Sequence, residues 1–521
     1  MKNIFALGCL TLFLYSCSSS KKNEHFSLTP TFADPTVYAQ TITSNELKEL
    51  LYTYASDEFQ GRETGTEGQK KAVAFLAQQY QNMGVPSPMG DTYFQNVPLE
   101  IQSFPETNIS INGKALPCFV DYSPLGTPST QHIGAKEIVY VSYGIETDTY
   151  SNYNNIDVKD KIVLMKAGEP QNEDGSFVTS ETKKSTIWTS GRGARNLKRD
   201  VAIAKGAKAI IFMDDVSFGR VSNYYQKKSE KSDHGAMAVQ GDVLSIPHFI
   251  INDIVGKSLY KNILTDNSSK SIKTDIEIDI TTESDSIKSE NVLAFIKGSE
   301  KPDEILVISS HLDHEGIKDG QIYNGADDDG SGTVALLEIA EAFKTAVKEG
   351  KGPKRSILFL HVTGEEKGLL GSKYYTDFAP VFPLENTIAN LNIDMIGRVD
   401  DKHTDSPNYL YIIGSDRLST ELHQISEATN ETYTEMTFDY TYNAENDPNR
   451  FYYRSDHYNF AKHNIPAIFY FNGSHADYHK PTDTPDKIAY DLLETRTRLV
   501  FYTAWQLANQ EQRIVADKAV Q

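Results

Sequence analysis

The second half of the chain predicts an α/β domain with a mainly parallel, mixed sheet that is covered by helices on both faces. From residue 291 onward, short apolar runs alternate with helical patterns. Runs such as EILVISSH, RSILFLHVT and PAIFYF are almost continuously apolar, as expected for strands buried on both faces of a sheet. Polar motifs follow several of these runs directly. They therefore stand at the carboxyl ends of strands, where ligands bind in such sheets.

The helices of this domain are predicted from apolar spacing at residues 331–348, 368–376, 418–429 and 486–510. Nearer the N-terminus, one helix is predicted to begin at Ser44 and a second to cover residues 69–83 and end at Gly84. Two strands are predicted within residues 93–116. We therefore assign residues 41–130 to the first part of this domain and 281–515 to its second part, with a polar linker at 281–290.

Residues 131–280 separate these two parts and follow a different order of strand, strand, helix, strand, strand. They carry no cluster of catalytic residue types. The segments DVKDKIVLM and KGAKAIIF resemble a protease-associated (PA) domain. The resemblance implies an inserted, β-rich PA-like domain at 131–280.

Residues 1–16 predict a lipoprotein signal peptide. Lys2 is followed by a short apolar run, and Leu14-Tyr15-Ser16-Cys17 resembles a bacterial lipobox. The resemblance implies cleavage before Cys17 and a lipid on its sulfur. The polar, Pro-containing composition that follows predicts a tether at residues 17–40. The expected location is the bacterial cell envelope, with a lipid anchor and either a periplasm-facing or a cell-surface position. The alternative is an ordinary signal peptide with an incidental cysteine.

Charge and cysteine content narrow the classes of partner and fold. Seventy-one acidic against 51 basic residues give a formal net charge of −20, which argues against nucleic acid as a partner. Cys9 and Cys17 belong to the predicted targeting segment, which leaves Cys118 alone in the body of the chain, so no intramolecular disulfide is expected.

Two histidines and four carboxylates stand in five short motifs of the second half. They are His311 in SSHLDHEG, Asp328 in NGADDDGSG, Glu365 and Glu366 in VTGEEKG, Asp394 in LNIDMIG, and His479 in ADYHKPTDT. Imidazole and carboxylate are the ligands that zinc takes where cysteine is absent, and two neighbouring ions need a bridging anion. Asp328 is the candidate bridge between two zinc ions. His311 and Asp394 are assigned to one ion, and Glu366 and His479 to the other.

Rival residues lie beside two of these ligands. Asp327 and Asp329 flank Asp328, and His475 precedes His479 by four positions. Position within the motif favours Asp328 and His479, and leaves His475 as a nearby polar or substrate contact.

Other residues are candidates for roles around the metals. Glu365 precedes a ligand, so its side chain is free to take a proton from the metal-bridging water and pass it to the leaving amine. Tyr452 or Tyr453 is a candidate for stabilising the oxyanion. Asp313 could accept the other ring N–H of His311.

The motifs HLDHEG, GADDDGSG, GEEKGLLGS, NIDMIG and YHKPTDTPDKI, in this order, resemble the M28 family of zinc peptidases, the aminopeptidase and glutamate carboxypeptidase group. The resemblance implies the two-zinc ligand set given above, Glu365 as general base and Asp313 as an orienting residue. It also implies a cis peptide bond between Asp328 and Asp329.

The leading functional hypothesis is a zinc-dependent aminopeptidase that acts on peptides. A glutamate carboxypeptidase-like enzyme is the first alternative, because Arg398 and Arg454 lie near the motifs and could receive an α-carboxylate. A glutaminyl cyclase and a non-catalytic, receptor-like binding protein follow. The oligomeric state and the preferred terminal residue are not specified by the sequence.

Overall fold

The computed structural model describes residues 26–29, 31, 33–230, 236–242 and 246–519. The predicted signal peptide and Cys17 lie outside these residues. Within the described part of the chain, no helix combines the length and the apolar character that a membrane span requires.

Helices and strands are numbered here in chain order. The first part contains α1 (Thr36–Ala39), α2 (Ser44–Tyr54), α3 (Glu67–Met83), β1 (Phe94–Gln102), β2 (Glu106–Ile111), β3 (Lys114–Leu116), β4 (Tyr122–Pro124), β5 (Gln131–Tyr140), β6 (Ile162–Lys166), α4 (Gly191–Ala204), β7 (Ala209–Met213), α5 (Asp215–Ser229), β8 (Ala236–Val239), β9 (His248–Ile251), α6 (Asp253–Leu259) and β10 (Lys270–Thr281). The second part contains β11 (Ser284–Ile296), β12 (Lys301–His311), β13 (Gly316–Lys318), β14 (Gln321–Tyr323), α7 (Gly332–Lys348), β15 (Arg355–Val362), α8 (Leu370–Lys373), β16 (Thr387–Ile393), β17 (Tyr409–Ile413), α9 (Thr420–Tyr433), β18 (Thr437–Asp439), α10 (His457–Ala461), β19 (Ala467–Phe471) and α11 (Tyr490–Asn509).

The larger sheet is mixed, as predicted. It has nine strands in the order β18-β17-β19-β16-β12-β15-β11-β1-β8. The central strands β19, β16, β12 and β15 are parallel to their neighbours within this group. The strands beyond β15, from β11 to β8, are antiparallel. The parallel centre brings the carboxyl ends of four strands to one edge of the sheet.

Apolar side chains alternate between the two faces of this sheet. Along β12, Leu306 and Ile308 pack into one core, which includes buried residues of α2, α3, α7 and α11. Ile305 and Val307 pack into a second core on the opposite face, together with Phe460 of α10. The sheet is therefore covered on both faces, which accounts for its nearly continuous apolar strands.

A second sheet of eight strands forms the inserted unit, in the order β3-β2-β10-β5-β6-β7-β9-β4. It begins with β2 at Glu106, whereas the sequence placed the boundary at residue 131. The earlier start follows from pairing, because β2 lies antiparallel to β10 from Ile111 to Glu106. One strand of the insert departs from this unit: β8 pairs with β1 at the edge of the larger sheet.

The predicted polar linker at 281–290 is wrong. Most of it belongs to β11, which pairs with β1 from Ser284 onward. The side chains of its first half are mostly exposed, so backbone pairing forms a strand there without an apolar pattern. Because β11 meets β15 only from Val292, its first half extends past the carboxyl end of β15. The insert is thus attached on the side of the sheet where the metal-ligand motifs lie.

Candidate metal centre

The carboxyl ends of the four parallel strands carry the predicted ligands. His311 is the last residue of β12, and Asp394 follows β16 directly. Glu365 and Glu366 lie just beyond β15, and His479 lies in the loop after β19. The fifth motif reaches the same place by another route, because Asp328 lies in the turn that leads into α7.

Asp328 lies between the two histidines. Its Oδ1 is 3.1 Å from His311 Nε2, and its Oδ2 is 3.0 Å from His479 Nε2. His311 Nε2 is also 3.6 Å from Asp394 Oδ1, and His479 Nε2 is 3.2 Å from Glu366 Oε2. Two groups of donor atoms therefore share one carboxylate, and each group contains one imidazole and one further carboxylate.

The flanking aspartates point away from this shared position. Asp329 accepts hydrogen bonds from the backbone N–H groups of His311, Gly332 and Met395. Asp327 accepts one from the backbone N–H of Gly397. Asp329 does place an oxygen within 4.8 Å of donor atoms of His311 and Asp394. Both its oxygens are, however, already engaged by N–H groups, so Asp328 is the better ligand of the three.

His475 belongs to a supporting layer. Its Nε2 lies 3.1 Å from Asp327 Oδ2, and its Nδ1 accepts the backbone N–H of Asp477. Asp483, which the sequence analysis did not identify, accepts the backbone N–H groups of Asp327 and Asp328. Together these residues hold the acidic turn in place. The peptide bond between Asp328 and Asp329 is cis, as the resemblance implied.

Glu365 lies beside the two donor groups without joining either. Desolvation raises the pKa of its carboxyl well above 4.5, His311 acts in the opposite direction, and Asp394 and Glu366 raise the pKa further. A cation bound between these carboxylates would reverse the effect of their charge. Glu365 is thus a titratable group placed next to the ligands.

Asp313 does not orient His311 through its carboxylate. The Nδ1 of His311 faces the backbone carbonyl oxygen of Asp313 at 3.1 Å, whereas the nearest carboxylate oxygen is 3.9 Å away. That carboxylate instead accepts the backbone N–H of Glu365 and the hydroxyl of Thr64. Asp313 therefore fixes the position of Glu365, because its carboxylate holds the backbone of that residue.

Neither Tyr452 nor Tyr453 lies among the described residues that line the cleft beside Asp328. The ring of Tyr452 packs against the guanidinium of Arg417, and Tyr453 is exposed. The tyrosine in the cleft is Tyr478. Burial raises its pKa, and the negative charges of Asp328 and Glu366 raise it further. Tyr478 directly precedes His479, and this adjacency was the available signal in the sequence.

The two arginines that supported the carboxypeptidase alternative differ in their surroundings. Arg398 is bound by Asp477, with an N–O distance of 2.9 Å, and lies 3.8 Å from Asp483. Arg454 lines the cleft, where its guanidinium packs on Phe451 and donates to the hydroxyl of Tyr478. Arg454 alone of the two is available at the cleft.

The donor groups fit divalent cations. His311 Nε2, Asp328 Oδ2 and Glu366 Oε1 are buried and have no hydrogen-bond partner within the described residues. Burial alone would lower the pKa of His479, but Asp328 and Glu366 raise it to about 10. The surroundings of this imidazole therefore favour positive charge. Unpaired buried donors that converge in a negative field are what a metal position requires.

The mixed sheet, with two donor groups sharing one carboxylate at its carboxyl edge, defines an α/β protein with a two-metal centre. Residues 291–504 match the model of peptidase family M28.

The chain is also similar to known aminopeptidases. It is 37% identical over 108 residues to aminopeptidase NAALADL1 of Mus musculus, a match that covers 20% of this chain and 14% of that protein. It is 24% identical over 358 residues to aminopeptidase YwaD of Bacillus subtilis (strain 168), covering 65% of this chain and 70% of that one. Among solved structures, the aminopeptidase from Aneurinibacillus sp. strain AM-1 aligns with a TM-score of 0.48 and 20% identity, covering 93% of this chain and 98% of that chain. The match to NAALADL1 thus spans far less than two thirds of that relative.

Proposed function

We propose that this protein is a zinc-dependent aminopeptidase that hydrolyses the first peptide bond of its substrates. The position of Asp328 carries the proposal, because its two oxygens lie 3.1 Å and 3.0 Å from imidazole nitrogens on opposite sides. Such a carboxylate suits two neighbouring cations. The match of residues 291–504 to the M28 peptidase model and the aminopeptidase names of two relatives support the same reaction.

His311, Asp394 and Asp328 would hold one zinc ion, and Asp328, Glu366 and His479 the other. Bound there, the ions would supply an acidified water and polarise the carbonyl of the scissile bond. Glu365 would take the proton of the attacking water on its carboxylate and deliver it to the leaving amine nitrogen. The backbone hydrogen bond to Asp313 holds Glu365 in place for both transfers. The Tyr478 hydroxyl would stabilise the oxyanion.

The arginines of the cleft favour an aminopeptidase over a carboxypeptidase. A carboxypeptidase needs a positive group for the α-carboxylate, and Arg454 is the arginine that lines the cleft. Arg454 is exposed and already donates to the hydroxyl of Tyr478. The carboxylates of Asp328 and Asp394 also line the cleft, but this proposal assigns both to zinc, so the bound ions would offset their charge.

The remaining cleft wall supports apolar terminal residues. Phe451, Phe469, Phe471 and Met395 line it, and the two phenylalanines of β19 are almost fully buried. These side chains expose little surface, and the cleft beside them has a volume of about 30 Å³, so the apolar gain from a substrate side chain stays below the roughly 1.5–3 kcal/mol of full burial. We expect an apolar residue at the substrate N-terminus to be preferred over Asp.

Three versions of one leucine-initiated peptide test the proposal: free at both ends, N-acetylated, and C-amidated. Each is incubated with the zinc-loaded protein, and products are identified by mass spectrometry. We expect stepwise N-terminal loss from the free and amidated peptides and none from the acetylated one. C-terminal trimming of the acetylated peptide would instead establish a carboxypeptidase. The absence of turnover with zinc bound would favour a binding protein. Protein stripped of metal by a chelator is the control.

A lipid anchor on Cys17 and a location in the bacterial cell envelope are part of the proposal. The lipobox-like LYSC segment supports it. Labelling with a radioactive fatty acid tests the anchor. Incorporation in the natural chain and its loss in Cys17→Ala are expected, and equal labelling of both would contradict it.

A further inference from the structure

His314 lies against the second donor group, three residues after His311 in the same motif. Its side chain is fully buried. Its Nδ1 is 2.8 Å from Glu366 Oε1 and 3.8 Å from Asp328 Oδ2. No role was assigned to this histidine by its position in the sequence.

The side chains of His314 and Glu366 face each other in the second donor group. His314 Nδ1 lies 2.8 Å from Glu366 Oε1, and no other hydrogen-bond partner of either atom is present within the described residues. Buried polar atoms are rarely left unpaired in folded proteins. The same property is shared by His311 Nε2 and Asp328 Oδ2, two donors already assigned to metal, and by atoms elsewhere such as those of the His457 ring. What distinguishes His314 Nδ1 from the latter is its position beside the carboxylates of Glu366 and Asp328.

The separations match donors around one ion. Zinc–nitrogen bonds of about 2.0–2.1 Å place the donors of a tetrahedral ion about 3.3 Å apart. The second group has donor separations of 2.8 Å, 3.0 Å, 3.2 Å and 3.8 Å when His314 is included. Donor atoms of His314, Asp328 and Glu366 all lie within 4.8 Å of one another.

The fold makes room for the imidazole ring at this place. Gly325 has a φ of +55°, and a Cβ there would lie 2.5 Å from His314 Cγ. The same Cβ would lie 2.2 Å from the backbone oxygen of Asp328. A side chain at residue 325 would therefore displace both the ring and the acidic turn.

We propose that His314 is a fourth protein ligand of the second metal, which would then be held by His314, Asp328, Glu366 and His479. The first position would keep three protein ligands, His311, Asp328 and Asp394. Four protein ligands close a zinc site, whereas three leave a position open for water or substrate. The two positions would therefore differ, with the second binding zinc more tightly and the first facing the substrate.

The inference rests on the proposed zinc centre and is tested by metal binding. His314→Asn is compared with the natural protein and with His457→Asn. His457 is equally buried, and its ring nitrogens also have no side-chain partner within the part of the chain that the structure describes, but its ring stacks on Phe469 and lines no donor group. Zinc affinities are measured by competition with a chromophoric chelator. X-ray absorption on samples with one zinc equivalent then counts imidazole ligands.

The natural protein and His457→Asn should bind two zinc ions in separate steps, with two imidazoles around the first equivalent. In His314→Asn the affinity for the more tightly bound zinc ion should fall by more than about 100-fold. Loss of a residue that only hydrogen-bonds to a metal ligand typically costs about 10–100-fold. With one zinc equivalent bound, the absorption spectrum of His314→Asn should show one imidazole ligand. Two imidazoles in His314→Asn, or an affinity within tenfold of the control, would overturn the proposal and leave His314 as a packing residue.

A second variant covers the case in which His314→Asn does not fold. His314→Cys offers a thiolate at the same place, and we expect a zinc–sulfur distance of about 2.3 Å in its absorption spectrum. No sulfur in the zinc shell of the folded variant would also overturn the proposal. A different result would contradict the proposed aminopeptidase function: the natural protein would bind two zinc ions without cleaving peptides, or would bind no zinc.

Discussion

Replacing Glu365 by glutamine should remove most catalysis while leaving the metals and the fold in place. The glutamine side chain would have nearly the same shape as the natural one, and the backbone N–H of this residue would still donate to Asp313. The amide cannot accept the proton of water, however. Loss of a general base typically lowers the rate by about 10²–10⁴-fold.

We expect kcat to fall about 10³-fold, which corresponds to about 4 kcal/mol of transition-state stabilisation. KM should change little, because Glu365 is outside both donor groups. The zinc content should remain two per chain. Initial rates are measured with a leucine-initiated substrate, and zinc is determined by mass spectrometry on the same preparations.

Metal-free protein provides the accompanying check on folding. In the absence of a cation, the pKa of Glu365 is raised well above 4.5 by burial and by neighbouring carboxylates. Its ionised form therefore destabilises the folded chain increasingly as the pH rises above 4.5. Metal-free Glu365→Gln should consequently unfold at a higher temperature than the natural protein at pH 8. Glu385→Gln, an exposed site, is the control for the change in charge.

A variant with near-normal kcat and two bound zinc ions would refute the assignment of Glu365 as the base. A variant that lost kcat together with one zinc ion would show instead that Glu365 is a ligand.

Three further predictions concern other residues of the domain. Glu366→Gln should reduce bound zinc from two toward one per chain, and an unchanged content would contradict its role as a ligand. Tyr478→Phe should lower kcat about 100-fold through loss of an oxyanion donor, whereas Tyr452→Phe should leave kcat near its natural value; the reverse ranking would restore Tyr452 as the candidate. Burial and two neighbouring carboxylates raise the pKa of Glu338 to about 8, so its ionisation destabilises the folded state as the pH rises from 4.5 through 8. Glu338→Gln should therefore stabilise the protein by on the order of 4 kcal/mol at pH 9 and little at pH 4.5, as measured by urea unfolding; an equal gain at both values would indicate a packing effect.

Local patterns predicted the sheet and the second helix well. Residues 69–83 lie within α3, which ends at Met83 with Gly84 as its left-handed cap. The apolar runs of β12, β15, β16 and β19 are strands because both of their sides are buried. Since parallel strands end at one edge, the polar motifs that follow them are brought together by the sheet itself.

Features that depend on tertiary packing could not be predicted in this way. The first half of β11 is mostly polar and is a strand because β1 pairs with it. Asp313 faces Glu365 instead of His311 because of the turn after β12. The orientation of the His314 ring depends on the space left by Gly325, eleven positions later. None of these relations can be predicted from the local spacing of apolar residues along the sequence.

The pairing of β8 with β1 makes the insert difficult to remove. Removing the chain segment that forms the second sheet would remove β8 as well and leave β1 as an unprotected edge strand. Val97 and Leu99 of β1, which pack against Val239 of β8, would then be exposed. An exposed strand edge beside apolar side chains promotes aggregation. Lys373, the last residue of α8, would also lose its ion pair with Asp242. Designs that shorten this protein should therefore keep β8, grafted through a short loop, as a cap on the edge of the sheet.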